Sequence, residues 1–181
     1  ATYDIRSLPI CQMYIYNRIS DVLIVHDTLY RTSADFYCTK LSPTDLDLDT
    51  WHTKMLGGNW PNGYSAAAQY TYEDKPMNLI QYRQGLPFAR KQNVNANVTV
   101  LIDAEKLFEA FDSLYAAGGA VCIYNDENIC MYTSSDAYSS VATDTASANQ
   151  IMRSEEVKIN GKKLCRLLYK SEESGWCYSI Y

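Results

Sequence analysis

Residues 98–135, VTVLIDAEKLFEAFDSLYAAGGAVCIYNDENICMYTSS, constrain the possible folds of this chain more than any other segment. Val98, Val100, Leu101 and Ile102 form a short apolar run rich in β-branched residues, the composition of a buried strand. Asp103 stands where a helix N-cap belongs, and Glu105 falls in the first turn, near the positive end of the helix dipole. Leu107, Phe108, Phe111, Leu114 and Tyr115 recur at i, i+1, i+4, i+7 and i+8, which lays one apolar stripe along a helix. Gly118 and Gly119 supply a left-handed stop. Ala120–Tyr124 and Ile129–Tyr132 then flank Asn125-Asp126-Glu127-Asn128, a hairpin turn by composition. One strand system therefore precedes the helix and a second follows it. Pattern alone equally fits any α+β domain with one helix and one hairpin.

The chain has 181 residues, enough for one domain or two small ones, and 47% of them are apolar, so a substantial core can form. Sixteen basic against 21 acidic residues give a net charge of −5, which argues against the basic face that nucleic acid requires. No Lys or Arg run supports attraction to a membrane surface. No stretch reaches the ~18 apolar residues of a membrane span, and no signal peptide is recognisable. The chain starts at Ala1 and stops just after the aromatic run Trp176–Tyr181, so it is expected to be a soluble piece of a longer protein. Tyrosine, at 16 residues against 4 Phe, is the compositional outlier. Its apolar body and polar tip suit half-exposed strands and wet pockets.

Six cysteines, Cys11, Cys38, Cys122, Cys130, Cys165 and Cys177, contain no C-x-x-C pair, and only His26 and His52 could join them, so no metal site is expected. Cys122 and Cys130 are expected nearly opposite across one hairpin, and Cys165 and Cys177 across another. Disulfides there remain open, but Cβ geometry between paired strands is restrictive. Buried free thiols are the preferred reading.

Along the rest of the chain, residues 9–19 suggest the end of a helix, and Asp21–His26 a strand. Asp27-Thr28 turns the chain, and the alternation of Leu29–Tyr37 suggests an answering strand. Ser42-Pro43-Thr44-Asp45 has the form of a helix start, with Leu46, Leu48, Trp51 and Met55 following and Gly57-Gly58 ending the element. Asn59–Gly63 is a loop by its breakers. Tyr64–Tyr72 and Met77–Leu86 suggest strands around the turn 73–76, and Pro87–Asn97 a polar loop. Thr133–Gln150 suggests a loop or weak helix. Glu155–Ile159 and Lys163–Tyr169 flank Asn160-Gly161, a strong hairpin signal, before a last strand. The order fits antiparallel sheets with helices on one side.

The segment 98–135 resembles the junction of double Cache sensor domains, where the last strand of a PAS-like lobe runs into a helix and a second lobe begins with a hairpin. DVLIVHDTLYRTSADFY is similar to that family's first hairpin, and LLYKSEESGWCYSIY to its closing strand–turn–strand. The resemblance covers most of the chain in order, through residue classes rather than invariant motifs. It implies an α+β fold of two PAS-like (Cache) lobes with antiparallel sheets, joined by a short helix: a membrane-distal lobe at 1–102, its N-terminal helix truncated, and a membrane-proximal lobe at 103–181. It implies the extracellular, small-molecule-sensing region of a bacterial receptor. The closest relatives by likeness are two-component histidine kinases and membrane-bound AraC-type regulators. The whole protein is expected to be membrane-anchored and dimeric, and this fragment to need no cofactor and perform no catalysis.

The family's amino-acid-binding branch uses an Arg near a Trp-Tyr pair and a later Tyr and Asp. Here Trp51 follows Asp49-Thr50 and precedes His52, and the arginine is missing. Amino-acid binding is therefore not carried over, although Tyr72-Glu73-Asp74 matches superficially. Trp51, His52, Trp60, Tyr64, Tyr70, Tyr72, Asp74 and Arg83 remain the candidate ligand-binding residues: the aromatics for stacking, Arg83 for neutralising an anion. The competing reading makes each a packing or surface residue of a sheet. No G-x-S-x-G, H-E-x-x-H or phosphate loop is present. Asp45, Asp47 and Asp49 lack the glycine and glutamate of a calcium loop. Two alternatives stay open: a small secreted or periplasmic enzyme using His52 with Asp49 or Asp74, and a ligand-free spacer.

Overall fold

The computed structural model describes residues 9–26, 28–43, 47–56, 63–86, 95–125, 128–139, 152–172 and 174–181. The chain divides into two compact units, Ala1–Leu107 and Phe108–Tyr181. It is α+β, with one antiparallel sheet in each unit, as the resemblance implies.

The first unit is built on eight strands: β1 (Ile10–Asn17), β2 (Val22–Val25), β3 (Thr28–Tyr30), β4 (Leu41–Pro43), β5 (Gly63–Tyr64), β6 (Ala68–Tyr72), β7 (Lys75–Leu86) and β8 (Ala96–Asp103). Their order is β3-β2-β1-β8-β7-β6-β4, with β5 on β7. Tyr14 lies opposite Val25 on one side and Thr99 on the other, and Thr99 lies opposite Arg83. Strand alternation therefore puts Tyr14, Thr99 and Arg83 on one face, together with Tyr16, Gln81, Leu101, Tyr70 and Tyr72. That inner face forms the core with Phe36 of helix α1 (Ser33–Lys40), Trp51 of α2 (Leu48–Trp51), and Leu56, the last residue of a π-helical turn over His52–Leu56.

Three expectations fail in this unit. Residues 10–17 are a central strand, not the end of a helix; Tyr14 and Tyr16 are buried while their neighbours are half-buried or exposed, so the period is two. The strand expected over 29–37 stops at Tyr30. Helix α1 follows, because Thr32 caps it by accepting a hydrogen bond from the Asp35 N–H at 3.1 Å. Ser42-Pro43 is not a helix start but the end of β4, paired to β6. The cap is Asp47, whose Oδ1 accepts from the Thr50 N–H at 2.7 Å. Gly57–Asn62 and residues 44–46 and 87–94 lie outside the described residues.

The second unit has the order β10-β9-β13-β12-β11, from β9 (Val121–Tyr124), β10 (Cys130–Thr133), β11 (Met152–Ile159), β12 (Lys162–Lys170) and β13 (Cys177–Ile180). The β11–β12 turn has left-handed Asn160 (φ 50°) and Gly161 (φ 81°), the geometry the Asn-Gly pair predicts. The helix after β8 is capped by Asp103, which accepts from the Lys106 N–H at 3.1 Å. It is not one continuous helix: α3 (Ala104–Phe108) gives way to a 3₁₀ turn at Glu109–Phe111 and then α4 (Asp112–Ala116). Phe108 lies against Tyr132 and Trp176, with ring centroids 4.3 and 6.4 Å away, and Phe111 against Tyr178 at 6.3 Å. A short α5 (Asp136–Ser139) follows β10, and residues 140–151 lie outside the described set.

All six cysteines are free thiols. The expected facing pairs do not form. A register shift in the β9–β10 hairpin sets Cys122 opposite Thr133 and Cys130 opposite Tyr124. Cys165 is opposite Glu156, while Cys177 is opposite Lys170 and Tyr124.

Candidate functional site

The inner face of the first sheet holds a cavity of about 250 Å³, lined by residues that include Gln12, Tyr30, Phe36, Lys40, Tyr72 and Glu73. Segments distant in sequence build it. Gln12 comes from β1, Val25, His26, Thr28 and Tyr30 from the β2–β3 hairpin, Phe36 and Lys40 from α1, Tyr72 from the end of β6 and Glu73 from the β6–β7 turn. Phe36 is the pivot. It is fully buried and meets Tyr14 at 5.0 Å, Tyr30 edge-on at 5.3 Å and Trp51 at 6.3 Å. The Tyr72 hydroxyl donates to Gln12 Oε1 at 2.9 Å, and burial pushes its pKa up to about 12. Lys40 Nζ and Glu73 Oε1 are paired at 2.6 Å, with side chains 38% and 53% exposed. The cavity thus has aromatic walls, an amide–phenol pair inside and one charge of each sign at its rim.

Of the candidate ligand-binding residues that are described, Tyr72 lines this cavity, and His26, weighed above as a metal ligand, also lies in its wall. Trp51 is 0% exposed and sits between Phe36 and Tyr37, whose ring lies 5.2 Å away; its Nε1 is buried with no hydrogen-bond partner among the described residues. Tyr70 is equally buried. Its hydroxyl accepts from Gln81 Nε2 at 2.9 Å, and burial raises its pKa to about 12. Arg83 donates from Nη1 to the Met55 carbonyl at 3.3 Å. Desolvation lowers its pKa, and the nearby phenols of Tyr14 and Tyr70 work in the opposite direction. Tyr70 and Arg83 lie on the same sheet face, and Trp51 joins the core on that face from α2. Tyr64 is on the other face, its ring against Tyr82 at 4.8 Å. Asp74 is an exposed turn residue with φ 62°. Trp60 lies outside the described residues.

His52 does not join a catalytic arrangement with Asp49 or Asp74 in its described contacts. Its Nε2 lies 3.0 Å from the Tyr16 hydroxyl and 3.5 Å from Asp21 Oδ1. The same hydroxyl donates to Asp21 Oδ1 at 3.1 Å, and the Ser33 N–H reaches Oδ2 at 3.3 Å. The cluster ties the β1–β2 turn, the start of α1 and the π-helical turn together. No group of three or more His, Cys, Asp or Glu that could hold a metal occurs among the described residues.

Sequence reasoning missed Gln12, Tyr30, Phe36, Lys40 and Glu73. None lies in a motif, and Lys40 and Glu73 are 33 positions apart. The capping pair Thr32 and Asp35 was the one local signal that placed Phe36 and Lys40 on a helix.

No family model matches the chain, and no curated protein sequence matches it. Solved structures do. The ligand-binding domain of the Pseudomonas aeruginosa amino acid chemoreceptor PctB, in complex with L-Arg, aligns with a TM-score of 0.50 at 10% identity, over 94% of this chain and 70% of that one. The periplasmic sensory domain of the Campylobacter jejuni chemoreceptor Tlp1 aligns with a TM-score of 0.49 at 10% identity, over 99% and 73%. The ligand-binding domain of the Pseudomonas fluorescens chemoreceptor CtaA, in complex with L-isoleucine, gives 0.49 at 12% identity, over 94% and 68%. No helix among the described residues is long and apolar enough to cross a membrane. The chain therefore has the fold of the PctB ligand-binding domain, the two-sheet Cache arrangement that its sequence resembles.

Proposed function

We propose that this chain is the extracytoplasmic ligand-sensing region of a bacterial membrane receptor. Its first unit is the membrane-distal lobe and holds a small molecule; its second is the membrane-proximal lobe. The observation that carries this reading is the cavity of about 250 Å³ between Gln12, Phe36 and Tyr72, rimmed by Lys40 and Glu73. It equals roughly eight water volumes, the scale of a metabolite rather than a polymer. Lys40 and Glu73 neutralise each other, and a guest carrying polar groups of both signs could exchange with that pair. Trp51, Tyr70 and Arg83 support the wall from behind, and a guest that shifts Phe36 would be felt by Trp51. Binding rather than catalysis fits a site whose described charges are an ion pair. The output is a histidine kinase or an AraC-type regulator, working as a dimer across the membrane.

The test is a thermal-shift and calorimetric screen against amino acids, organic acids and sugars. Amino acids belong in it because PctB and CtaA were solved with L-Arg and L-isoleucine. A ligand at a hundred times its dissociation constant stabilises by about 2.7 kcal/mol. Lys40→Ala and Tyr72→Phe should each weaken binding while leaving the unliganded Tm nearly unchanged. A ligand whose affinity ignores both substitutions would place binding elsewhere.

A further inference from the structure

An antiparallel sheet with one face in water alternates apolar and polar residues along its strands. The first sheet does not. Met13 and Ile15 of β1, Ile24 of β2 and Leu29 of β3 lie on its outer face, away from the core. The register sets Leu29 beside Ile24, Ile24 beside Ile15, and Ile15 beside Val98. A second row runs from Met13 through Val100 to Tyr82, and a third from Ile10 to Ile102. All four residues of β2 are apolar. From β3 across to β7, no strand position on this face is Asp, Glu, Lys or Arg.

The second unit shows how this chain treats strand residues that meet water. On β11 and β12, Glu156, Lys158 and Lys163 are exposed, and Glu156 pairs with Lys163 at 2.7 Å. On the outer face of the first sheet, by contrast, Ile10, Met13, Ile24 and Leu29 are 51, 56, 46 and 60% exposed. These four leave about 400 Å² of apolar surface in water, and half-buried Ile15, Val98, Val100, Ile102 and Tyr82 bring it to roughly 600 Å². That is the upper end of what a monomer leaves bare. With a polar rim it approaches the ~800 Å² that each partner buries in a stable complex.

We propose that this face is the contact between two copies of the chain, packed sheet on sheet about a two-fold axis. A two-fold sets the same rows against themselves, so one sequence supplies both sides of the match. Two chains of net charge −5 repel each other, and a face without charged residues is where they approach at least cost. Aligned sheets pack about 10 Å apart with their inward rows interdigitating, and the rows here are Ile, Val, Leu and Met. The cavity lies on the opposite face of the sheet, so the pairing neither uses it nor depends on it.

Sedimentation velocity of the whole chain reads the pairing. The expected result is a reversible rise from the mass of one chain to that of two between about 5 and 500 μM. In a mixture of ¹³C-labelled and unlabelled chain, isotope-filtered NOEs should join the methyl groups of Met13, Ile24 and Leu29 across the pair. Ile24→Glu buries a carboxylate in each half of the contact and should raise the dissociation constant at least about tenfold. Because Ile24 is exposed in the single chain, the urea midpoint of the first unit should hardly move. Leu29→Glu takes its place if Ile24→Glu does not fold. A chain that stays monomeric at the top of that range overturns the proposal, whether the three methyls then contact another part of their own chain or added phosphatidylcholine vesicles. A dimer that survives the substitution at full strength, or whose intermolecular NOEs avoid these methyls, overturns it as well.

Discussion

Trp51→Phe separates a packing role from a polar role for the central aromatic of the first unit. Trp51 is completely buried, and its indole Nε1 has no described partner. Two effects of the substitution oppose each other. Losing the second ring removes roughly 40 Å² of buried apolar surface, about 1 kcal/mol, and a small void adds to that. Removing an unsatisfied buried N–H returns about 1–3 kcal/mol of desolvation cost. The net change should lie within about 1 kcal/mol of zero. Trp51→Ala has no such offset. It removes the contacts to Phe36 and Tyr37 and should cost about 3–5 kcal/mol. Urea unfolding followed by circular dichroism measures both. The chain has two compact units, so two transitions are fitted separately. If Trp51→Phe costs more than about 3 kcal/mol, the indole N–H has a native partner and the packing argument fails.

Three further outcomes are expected. Burial opposes ionisation of Asp21, but hydrogen bonds from Ser33 and Tyr16 and the nearby His52 together hold its pKa below the ordinary 3.8. A depressed carboxylate stabilises above its unfolded pKa, so the first unit should keep this contribution above about pH 4 and lose it as pH falls through the depressed value. Asp21→Asn should flatten the acid limb of the stability curve; an unchanged limb would remove Asp21 from the account. In thiol labelling, exposed Cys38 and Cys165 should react at once, and buried Cys122 and Cys177 only on unfolding. A mass lower by two hydrogens per pair before reduction would contradict six free thiols. Gly119→Ala would place a Cβ 2.5 Å from Leu114 Cδ1 and 2.8 Å from the Tyr181 carbonyl oxygen. It should destabilise the second unit by about 1–3 kcal/mol in the same urea assay, whereas a neutral result would mean the turn yields freely.

Features carried by a few neighbouring residues were legible from sequence. Asp103 capping the helix, Gly118 ending it in the left-handed region at φ 83°, and Asn160-Gly161 turning β11 into β12 each follow from backbone sterics or one local hydrogen bond. Local signals also misled. The mixed apolar and polar residues of 9–19 suggest a helix end, and only the place of β1 between β2 and β8 fixes a period of two. Ser42-Pro43 satisfies a helix-start rule, yet pairing with Thr71 and Tyr70 outweighs it.

Sequence by itself determined the class of this protein, an α+β fold of two strand-rich segments joined through a capped helical segment, because cap, stop and turn signals are local. Tertiary structure alone decided where the cavity lies. Lys40 at the end of α1 meets Glu73 in the β6–β7 turn, and Gln12 of β1 meets Tyr72 of β6, because packing and sheet order set side by side residues that the chain keeps far apart. The Gln12–Tyr72 pairing depends on which face each strand turns inward, and a one-residue shift in register of either strand would undo it.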